Sequence, residues 1–202
     1  MYVTELIPVD KKQTLVITDG DIRFRLYKGE VRRFNVTAGM DIEETVLNDI
    51  FTLLKKRCKE RALYIVERAD KTEKELRIKL ESGDYPEEIV DCTLEFLKRY
   101  DYINDYRYSC NFVRQKTAKS GMRKIKYELL SKGVAVETID KVFAENETDS
   151  REVIRKILTG RRFDFSTNDR KQIDRQIRYL IGKGFSYEDI SSVIKENQQD
   201  FV

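Results

Sequence analysis

The sequence predicts a mainly α-helical protein made of three tandem three-helix repeats behind a small N-terminal antiparallel β-hairpin or sheet. Three glycines mark the repeat, because Gly83, Gly133 and Gly184 are separated by 50 and 51 residues. Each has an apolar residue three places before it, Glu four places after it and Ile six places after it. Units that repeat at this period cannot bury their apolar faces alone, so they stack. We therefore expect an elongated, curved stack with an extended binding surface.

The first 40 residues differ in kind from the rest. Val3–Val9 is rich in β-forming residues, and the runs 14–18 and 22–26 read as the two strands of a hairpin. Between them Asp19-Gly20 predicts a type I′ turn, which needs positive φ angles. A further strand is expected at Val31–Val36 after a turn at Lys28-Gly29. A sheet this small is marginal alone, so we expect it to dock on the helices that follow.

Helical periodicity begins after residue 40. The predicted organisation is an N-terminal sheet at 1–40, a linking helix at 41–60, and repeats at 61–105, 106–149 and 150–202, the last with a polar tail. In the first repeat, Ala62–Ala69 is the first helix, and Thr72 with Glu75 forms a capping box that opens the second. Gly83 is expected to end that helix in the left-handed conformation.

The later repeats have similar helix boundaries, and Gly133 and Gly184 are expected to end the second helix of repeats two and three. Asn104 or Asp105 is the predicted cap of the first helix of repeat two, and Ser150 that of repeat three. Ser186 with Asp189 imitates a capping box before the last helix.

The residue inventory argues against an enzyme. The chain has no histidine, which removes His-based nucleophile activation and mixed Cys/His zinc sites. Its three cysteines lack CxxC spacing, so we expect free thiols in a reducing compartment. No phosphate-binding loop, dinucleotide fingerprint or metalloprotease motif is present. We therefore expect no catalytic residues, no metal and no cofactor.

The N-terminus and the hydropathy indicate a cytoplasmic protein with no membrane contact. Residues 1–10 lack the basic start and the long apolar core of a signal peptide. No run approaches the ~18 apolar residues of a membrane span.

A net charge of +3 hides two basic clusters. Residues 106–133 hold eight basic residues and one acidic residue, and residues 151–185 hold ten and four. The candidate partner-binding and DNA-binding residues are Arg114, Lys116, Lys119, Arg123, Lys124, Lys126, Arg162, Arg170, Lys171, Arg175 and Arg178. The alternative is a merely solvated helix face.

The charge pattern also bears on the kind of partner. A basic stripe suits DNA phosphates, and it equally suits an acidic protein surface. Residues 134–150 and 186–202 are acidic instead, so basic and acidic stripes alternate along the chain. This alternation slightly favours a large polar partner over naked nucleic acid.

Three stretches resemble the RecX family of bacterial regulators of the RecA recombinase. The first runs from Ala62 through the Thr72-x-x-Glu75-Leu76-x-x-Lys79-Leu80 pattern. The second, Tyr102-Ile-Asn-Asp-x-Arg-Tyr108, resembles the family's most recognisable motif, with Asp101 in place of the usual preceding Gly. The third is Gly121-x-x-x-Ile-x-x-Glu-Leu-x-x-Lys-Gly-Val134. The third repeat matches by periodicity alone.

The resemblance implies a modulator, usually an inhibitor, of RecA. Family members are thought to lie in the groove of the RecA–DNA filament and to limit its growth, strand exchange and ATP hydrolysis. The implied partner is the RecA filament, with single- and double-stranded DNA as further partners of a basic stripe. We expect a monomer that bridges more than one RecA subunit.

Two other classes of function compete with this prediction. One is a helical nucleic-acid-binding module or transcription regulator, which would insert a base-reading helix into the duplex, usually as a symmetric dimer. The other is a scaffold for an unrelated protein, in which the basic clusters serve solubility. Neutralising Arg123, Lys124 and Lys126 together separates these readings, since the scaffold predicts little effect on partner binding.

Overall fold

The computed structural model describes residues 1–146, 149–167 and 169–199 and confirms the predicted fold class. The described chain is mainly helical, with one three-stranded antiparallel sheet at its N-terminus. It divides into two compact units, Met1–Asn104 and Asp105–Val202. The end of the predicted tail, residues 200–202, lies outside the described residues.

The first unit holds the sheet and four helices. Its elements are β1 Val3–Pro8, β2 Gln13–Thr18, β3 Arg23–Tyr27, α1 Lys28–Arg33, α2 Glu44–Arg68, α3 Glu73–Glu81 and α4 Glu87–Arg99. Strand β2 pairs with both neighbours, and Val16 lies opposite Leu6 on one side and Phe24 on the other. Val16 and Phe24 are fully buried against α2, where the Phe24 and Phe51 rings meet edge to face at 6.2 Å. The sheet docks on the helices as the sequence predicts.

The hairpin turn differs from the predicted type I′ turn. Among the described glycines with positive φ Gly20 does not appear, and Asp21 adopts φ 56° instead. The Thr18 N–H donates to the Ile22 carbonyl at 3.1 Å, which closes a three-residue loop, 19–21, rather than a two-residue one. A longer loop needs one left-handed residue, and Asp tolerates that conformation better than most L-residues.

A short helix, α1, replaces the strand predicted at Val31–Val36. The Glu30 carboxylate accepts the Tyr27 N–H at 2.8 Å, which caps the helix at its N-terminus. The same carboxylate pairs with the Arg57 guanidinium of α2. Through these two contacts Glu30 both caps α1 and binds α2, the longest helix of the unit. The helix at this position is therefore stabilised by contacts specific to it.

Helix α2 is continuous across the predicted linking helix and the first helix of repeat one. Its 25 residues bury Ile50, Leu54, Cys58 and Ala62, a regular i, i+4, i+8, i+12 series. The series has no break at residue 60, because Cys58 and Ala62 extend the apolar stripe that Ile50 begins.

The capping box at α3 is confirmed, whereas the predicted role of Gly83 is wrong. The Glu75 N–H donates to the Thr72 hydroxyl at 3.2 Å, and the Glu75 carboxylate accepts the Thr72 N–H at 3.4 Å. The left-handed residue after α3 is Asp84, with φ 53°, and not Gly83. Gly83 is small for another reason, since a Cβ there would lie 3.0 Å from the Tyr85 ring.

The second unit holds two three-helix sets. Its helices are α5 Asp105–Lys116, α6 Met122–Ser131, α7 Val136–Glu145, α8 Ser150–Gly160, α9 Arg170–Gly182 and α10 Tyr187–Gln199. Gly133 and Gly184 follow α6 and α9 as predicted, with φ 86° and 90°. Asp149, rather than the predicted Ser150, caps α8 by accepting two backbone N–H groups.

Each set in the second unit has its own core. One is formed by buried residues of α5 to α7 and the turn after α6, namely Val113, Ile125, Leu129, Val134, Ile139 and Val142. The other is formed by buried residues of α8 to α10 and the turn after α9, namely Ile154, Leu158, Leu180, Phe185, Ile190, Val193 and Ile194.

Candidate functional site

Helix α9 carries the clearest basic surface of the second unit. Lys171, Arg175 and Arg178 have i, i+4, i+7 spacing, so they share one face of the helix, and all three are exposed. Leu180 is fully buried on the opposite side, which fixes the orientation of that face toward solvent. Asp169 caps the helix by accepting the Lys171 N–H at 2.9 Å. We call the three side chains Lys171, Arg175 and Arg178 the α9 stripe.

The charges of the α9 stripe are available to a partner. Within the part of the chain that the structure describes, none of the three side chains forms an ion pair. Arg178 Nε donates a weak hydrogen bond to the backbone carbonyl of Asp174 at 3.4 Å. The Asp174 carboxylate, although close in sequence, forms no ion pair with the stripe in the described part of the chain. Arg170, one residue before the stripe, is likewise exposed.

Arg162 lies in the turn that ends α8. It adopts a left-handed backbone with φ 55° and is exposed. Its neighbour Arg161 is bound to α9 instead, through a 2.9 Å hydrogen bond from Nε to Gln176 and a guanidinium 3.9 Å above the Tyr179 ring. Arg161 therefore stabilises the α8–α9 packing, and Arg162 is the accessible cation of the pair.

The first basic cluster is divided by its own ion pairs. Lys116 Nζ lies 3.0 Å from Glu128, and Lys126 Nζ lies 2.5 Å from Asp140. These pairs join α6 to α5 and to α7. Two of the predicted binding residues thus have structural partners that a charge count along the sequence does not reveal.

The other members of the first cluster differ in exposure. Arg114, Lys119 and Arg123 are exposed and form no ion pair within the described residues. Lys124 is half-buried, because its backbone packs on the turn after α9. The accessible cations of this cluster therefore lie at the end of α5, in the following loop and at the start of α6.

A close backbone contact between Gly121 and Gly184 joins the two three-helix sets of the second unit. The Gly121 N–H donates to the Lys183 carbonyl at 2.9 Å. A Cβ on Gly121 would lie only 2.3 Å from the Gly184 carbonyl oxygen, so only glycine permits this approach. This contact places the start of α6, with Arg123 and Lys124, beside the turn that ends α9.

The sequence prediction missed an exposed apolar surface on α6. Tyr127 is 73% exposed and Leu130 is 39% exposed, and with Arg123 they have i, i+4, i+7 spacing on one face. Ile181 of α9, which precedes Gly184 as Leu130 precedes Gly133, is also exposed, at 49%. The signal was present in the sequence, since this face lies opposite the buried pair Ile125 and Leu129.

This apolar surface corrects the predicted repeat alignment. Leu80, Leu130 and Ile181 share a position relative to the glycines, yet Leu80 is fully buried. The buried equivalents of Leu80 are Leu129 and Leu180, because the left-handed residue of repeat one is Asp84. Leu130 and Ile181 therefore face solvent next to basic residues, a mixture that is typical of protein-binding surfaces.

Titratable groups in the second unit have structural causes for their shifts. The Tyr106 hydroxyl donates to Glu145, which raises the pKa of Tyr106 above its ordinary value. Hydrogen bonds from Ser166 lower the pKa of Asp164.

Among the described residues no group of three or more His, Cys, Asp or Glu side chains is arranged to hold a metal ion. No helix in the described ranges is long and apolar enough to cross a membrane.

Sequence comparison identifies relatives of all three helical sets. Models of the RecX first, second and third three-helix domains match residues 58–97, 104–142 and 147–194. The regulatory protein RecX of Clostridium beijerinckii is 33% identical over 97% of this chain and 94% of its own length. That of Clostridioides difficile is 30% identical over 90% and 87%.

Solved structures show the same fold. A crystal structure of a regulatory protein RecX aligns with a TM-score of 0.65 at 22% identity, covering 96% of this chain and 98% of that one. The structure of RecX from Lactobacillus salivarius aligns with a TM-score of 0.63 at 23% identity, covering 75% and 99%.

Proposed function

The chain belongs to the RecX family of regulatory proteins, and from this premise we propose that it modulates a RecA recombinase, mainly as an inhibitor, by binding along the RecA–DNA filament. Binding limits filament growth, strand exchange and ATP hydrolysis, and so regulates DNA repair and the SOS response. The protein acts in the cytoplasm as a monomer that contacts more than one RecA subunit. It requires no chemistry of its own.

The observation that carries this proposal is the unpaired α9 stripe in a chain that matches all three RecX helical domains. A filament groove presents acidic protein surface and DNA phosphate, and both attract Lys and Arg. The exposed Tyr127 and Leu130 beside Arg123 add apolar contact area that favours a protein component in the partner. The other predicted binding residues add positive charge to this unit, and two of them, Lys116 and Lys126, already have carboxylate partners. The full set is Arg114, Lys116, Lys119, Lys124, Lys126, Arg162 and Arg170.

The test is ATP hydrolysis by a RecA filament on single-stranded DNA, with this protein added below one molecule per RecA. We expect inhibition at these ratios. Replacing Lys171, Arg175 and Arg178 by Gln should raise the amount needed for half-inhibition at least about tenfold, since contacts to charged groups contribute about 1.5–3 kcal/mol each. This triple variant is sharper than neutralising Arg123, Lys124 and Lys126, because Lys126 already has a carboxylate partner.

The matched control changes the same charge in the first unit. It replaces three exposed lysines by Gln: Lys11, Lys12 and Lys28. Equal loss of inhibition in both triple variants would reduce the effect to net charge and would contradict a specific α9 contact. No inhibition at all, together with tight salt-dependent binding to free duplex DNA, would instead favour the nucleic-acid-binding module.

A further inference from the structure

The first unit contains a cleft that the filament proposal does not use. It has a volume of about 570 Å³ and lies where the end of β3 meets α2 and the turn after α3. Arg57, Arg61 and Tyr64 of α2 line one wall at i, i+4, i+7 spacing. Lys79 and Tyr85 line the other. A cleft of this size falls within the range of small-ligand sites.

Two of the four basic residues that line the cleft are held by carboxylates. Arg25 Nη2 lies 2.5 Å from Asp84, and Arg57 pairs with Glu30. Arg57 also donates to the Arg25 backbone carbonyl at 3.4 Å and lies 4.6 Å above the Tyr27 ring. These contacts join the sheet to α2 and to the turn after α3, and they give Arg25 and Arg57 carboxylate partners.

The other two basic residues that line the cleft, Arg61 and Lys79, have no carboxylate partner among the described residues. Both side chains are exposed. One lining carboxylate, Glu60, lies beside Arg61 in the sequence, which leaves the cleft basic overall. Two exposed cations on opposite walls can converge on one anionic group, in the way that Arg and Lys bind phosphate.

Neutral groups complete the lining. The Tyr85 hydroxyl is protonated at neutral pH, as for any tyrosine with a pKa of about 10 or above, and it can donate a hydrogen bond. Cations already lie over part of each of the other two rings, with Arg57 4.6 Å from the Tyr27 centroid and Arg68 and Arg61 4.2 and 5.6 Å from the Tyr64 centroid. Tyr27 and Tyr64 are still 41% and 45% exposed, so each keeps some ring surface against which a base can stack. A cleft lined by cations and tyrosine rings has the composition of a nucleotide site more than that of a site for a carboxylate alone.

We propose that this cleft binds a nucleotide, with its phosphate between Arg61 and Lys79 and its base against the tyrosine rings. The nucleotide is either a free nucleoside triphosphate or one unit of a single-stranded DNA. The proposal goes beyond RecA binding and does not depend on it, because every residue of the cleft lies in the first unit and the α9 stripe lies in the second.

The test measures direct binding of fluorescently labelled ATP and of a labelled oligothymidylate to the full chain without RecA. The variant carries Arg61→Gln and Lys79→Gln, and we expect it to weaken binding at least about tenfold, given two lost charge-assisted contacts. Both substituted side chains are exposed, so the fold should be retained, which circular dichroism verifies. The matched control carries Lys56→Gln and Lys74→Gln, exposed lysines on the same two helices outside the cleft.

The two arms separate the two sources of the nucleotide. ATP that binds and displaces the oligothymidylate identifies a free nucleotide as sufficient. Oligothymidylate that binds, and that the cleft variant weakens, while ATP fails to bind at about 1 mM, identifies single-stranded DNA. Oligothymidylate binding that the Arg61 and Lys79 substitutions leave unchanged would place the DNA elsewhere on the chain and would contradict the proposal.

Three further results would overturn the proposal. One is the failure of both probes to bind. Another is a loss of affinity in the control variant as large as that in the cleft variant. The third is displacement of bound nucleotide by polyglutamate at equal charge concentration, since the cleft would then accept an acidic protein segment. Inhibition of RecA plays no part in any of these measurements, so failure here leaves the filament proposal intact.

Discussion

Two glycines of the second unit hold backbone segments closer than any side chain would allow. A Cβ on Gly121 would lie 2.3 Å from the Gly184 carbonyl oxygen and 2.6 Å from the Phe185 nitrogen. Because these neighbours are backbone atoms, they cannot rotate away. We expect Gly121→Ala to destabilise the second unit by about 1–3 kcal/mol, the usual cost of overpacking. Urea unfolding followed by circular dichroism measures this loss.

Gly160→Ala is the matched control for that substitution. Gly160 is the last residue of α8, and a Cβ there would meet nothing within 4 Å. Alanine also has the higher helix propensity, so stability should hold or rise by at most about 1 kcal/mol. Equal losses for the two variants would show that the Gly121 contact is not tight.

Tyr85 gives the first unit a predictable response to alkaline pH. Burial raises its folded-state pKa to about 12, above the ordinary value of about 10. The folded state therefore keeps its proton between these pH values while the unfolded state loses it, so stability is present below pH ~10 and falls as pH rises toward ~12. The slope from this group is at most about 1.4 kcal/mol per pH unit.

The Tyr85→Phe variant isolates this contribution. Its unfolding free energy should fall less steeply than that of the parent chain between pH ~9 and ~11, because the phenol is gone and other groups titrate alike. Chemical unfolding of both proteins across this range provides the comparison. Parallel curves would mean that Tyr85 ionises freely in the folded state.

At the scale of single elements, the start of α3 depends on one hydroxyl. Thr72 is fully buried, and its side chain accepts the Glu75 N–H at 3.2 Å. Thr72→Ala removes this acceptor and should cost about 1 kcal/mol, with 0.5–2 as the usual range. Thr72→Ser keeps the acceptor and should recover most of the loss. A serine variant as unstable as the alanine variant would indicate that the methyl group, rather than the cap, is responsible.

Elements with a local cause could be predicted from the sequence, and elements with a distant cause could not. The capping box at Thr72 and the ending of α6 and α9 at Gly133 and Gly184 depend on neighbouring residues, and all were predicted. Helix α1 depends on a carboxylate that reaches Arg57, 27 residues away in sequence. Asp84 holds its left-handed backbone beside Arg25, 59 residues away. No periodicity within residues 28–36 or around Gly83 contains that information.

The same distinction applies to the candidate binding surface of the second unit. Helix α9 could be predicted as basic because Lys171, Arg175 and Arg178 share a face through their spacing alone. The ion pairs of Lys116 and Lys126 could not be predicted, because their carboxylate partners lie on other helices. Charge counts along a sequence locate a basic region, and tertiary pairing decides which of its cations remain free.

At the scale of the molecule, the first unit has a complete core of its own. One continuous cluster of buried residues runs from Val3 of the sheet to Ile103, and each of its members lies within 1–104. We therefore expect a fragment of residues 1–104 to fold alone, with helical circular dichroism and a cooperative urea transition.

A fragment of residues 1–68 is the control for this expectation. It keeps the sheet and α2 but lacks α3 and α4, which supply Leu76, Leu80, Ile89 and Leu94 to the same core. Without them the apolar faces of β2, β3 and α2 stay open to water, and a three-stranded sheet with one helix buries too little apolar area to offset chain entropy. Cooperative folding of the 1–68 fragment, or its absence in the 1–104 fragment, would contradict the assignment of residues 1–104 as one folding unit.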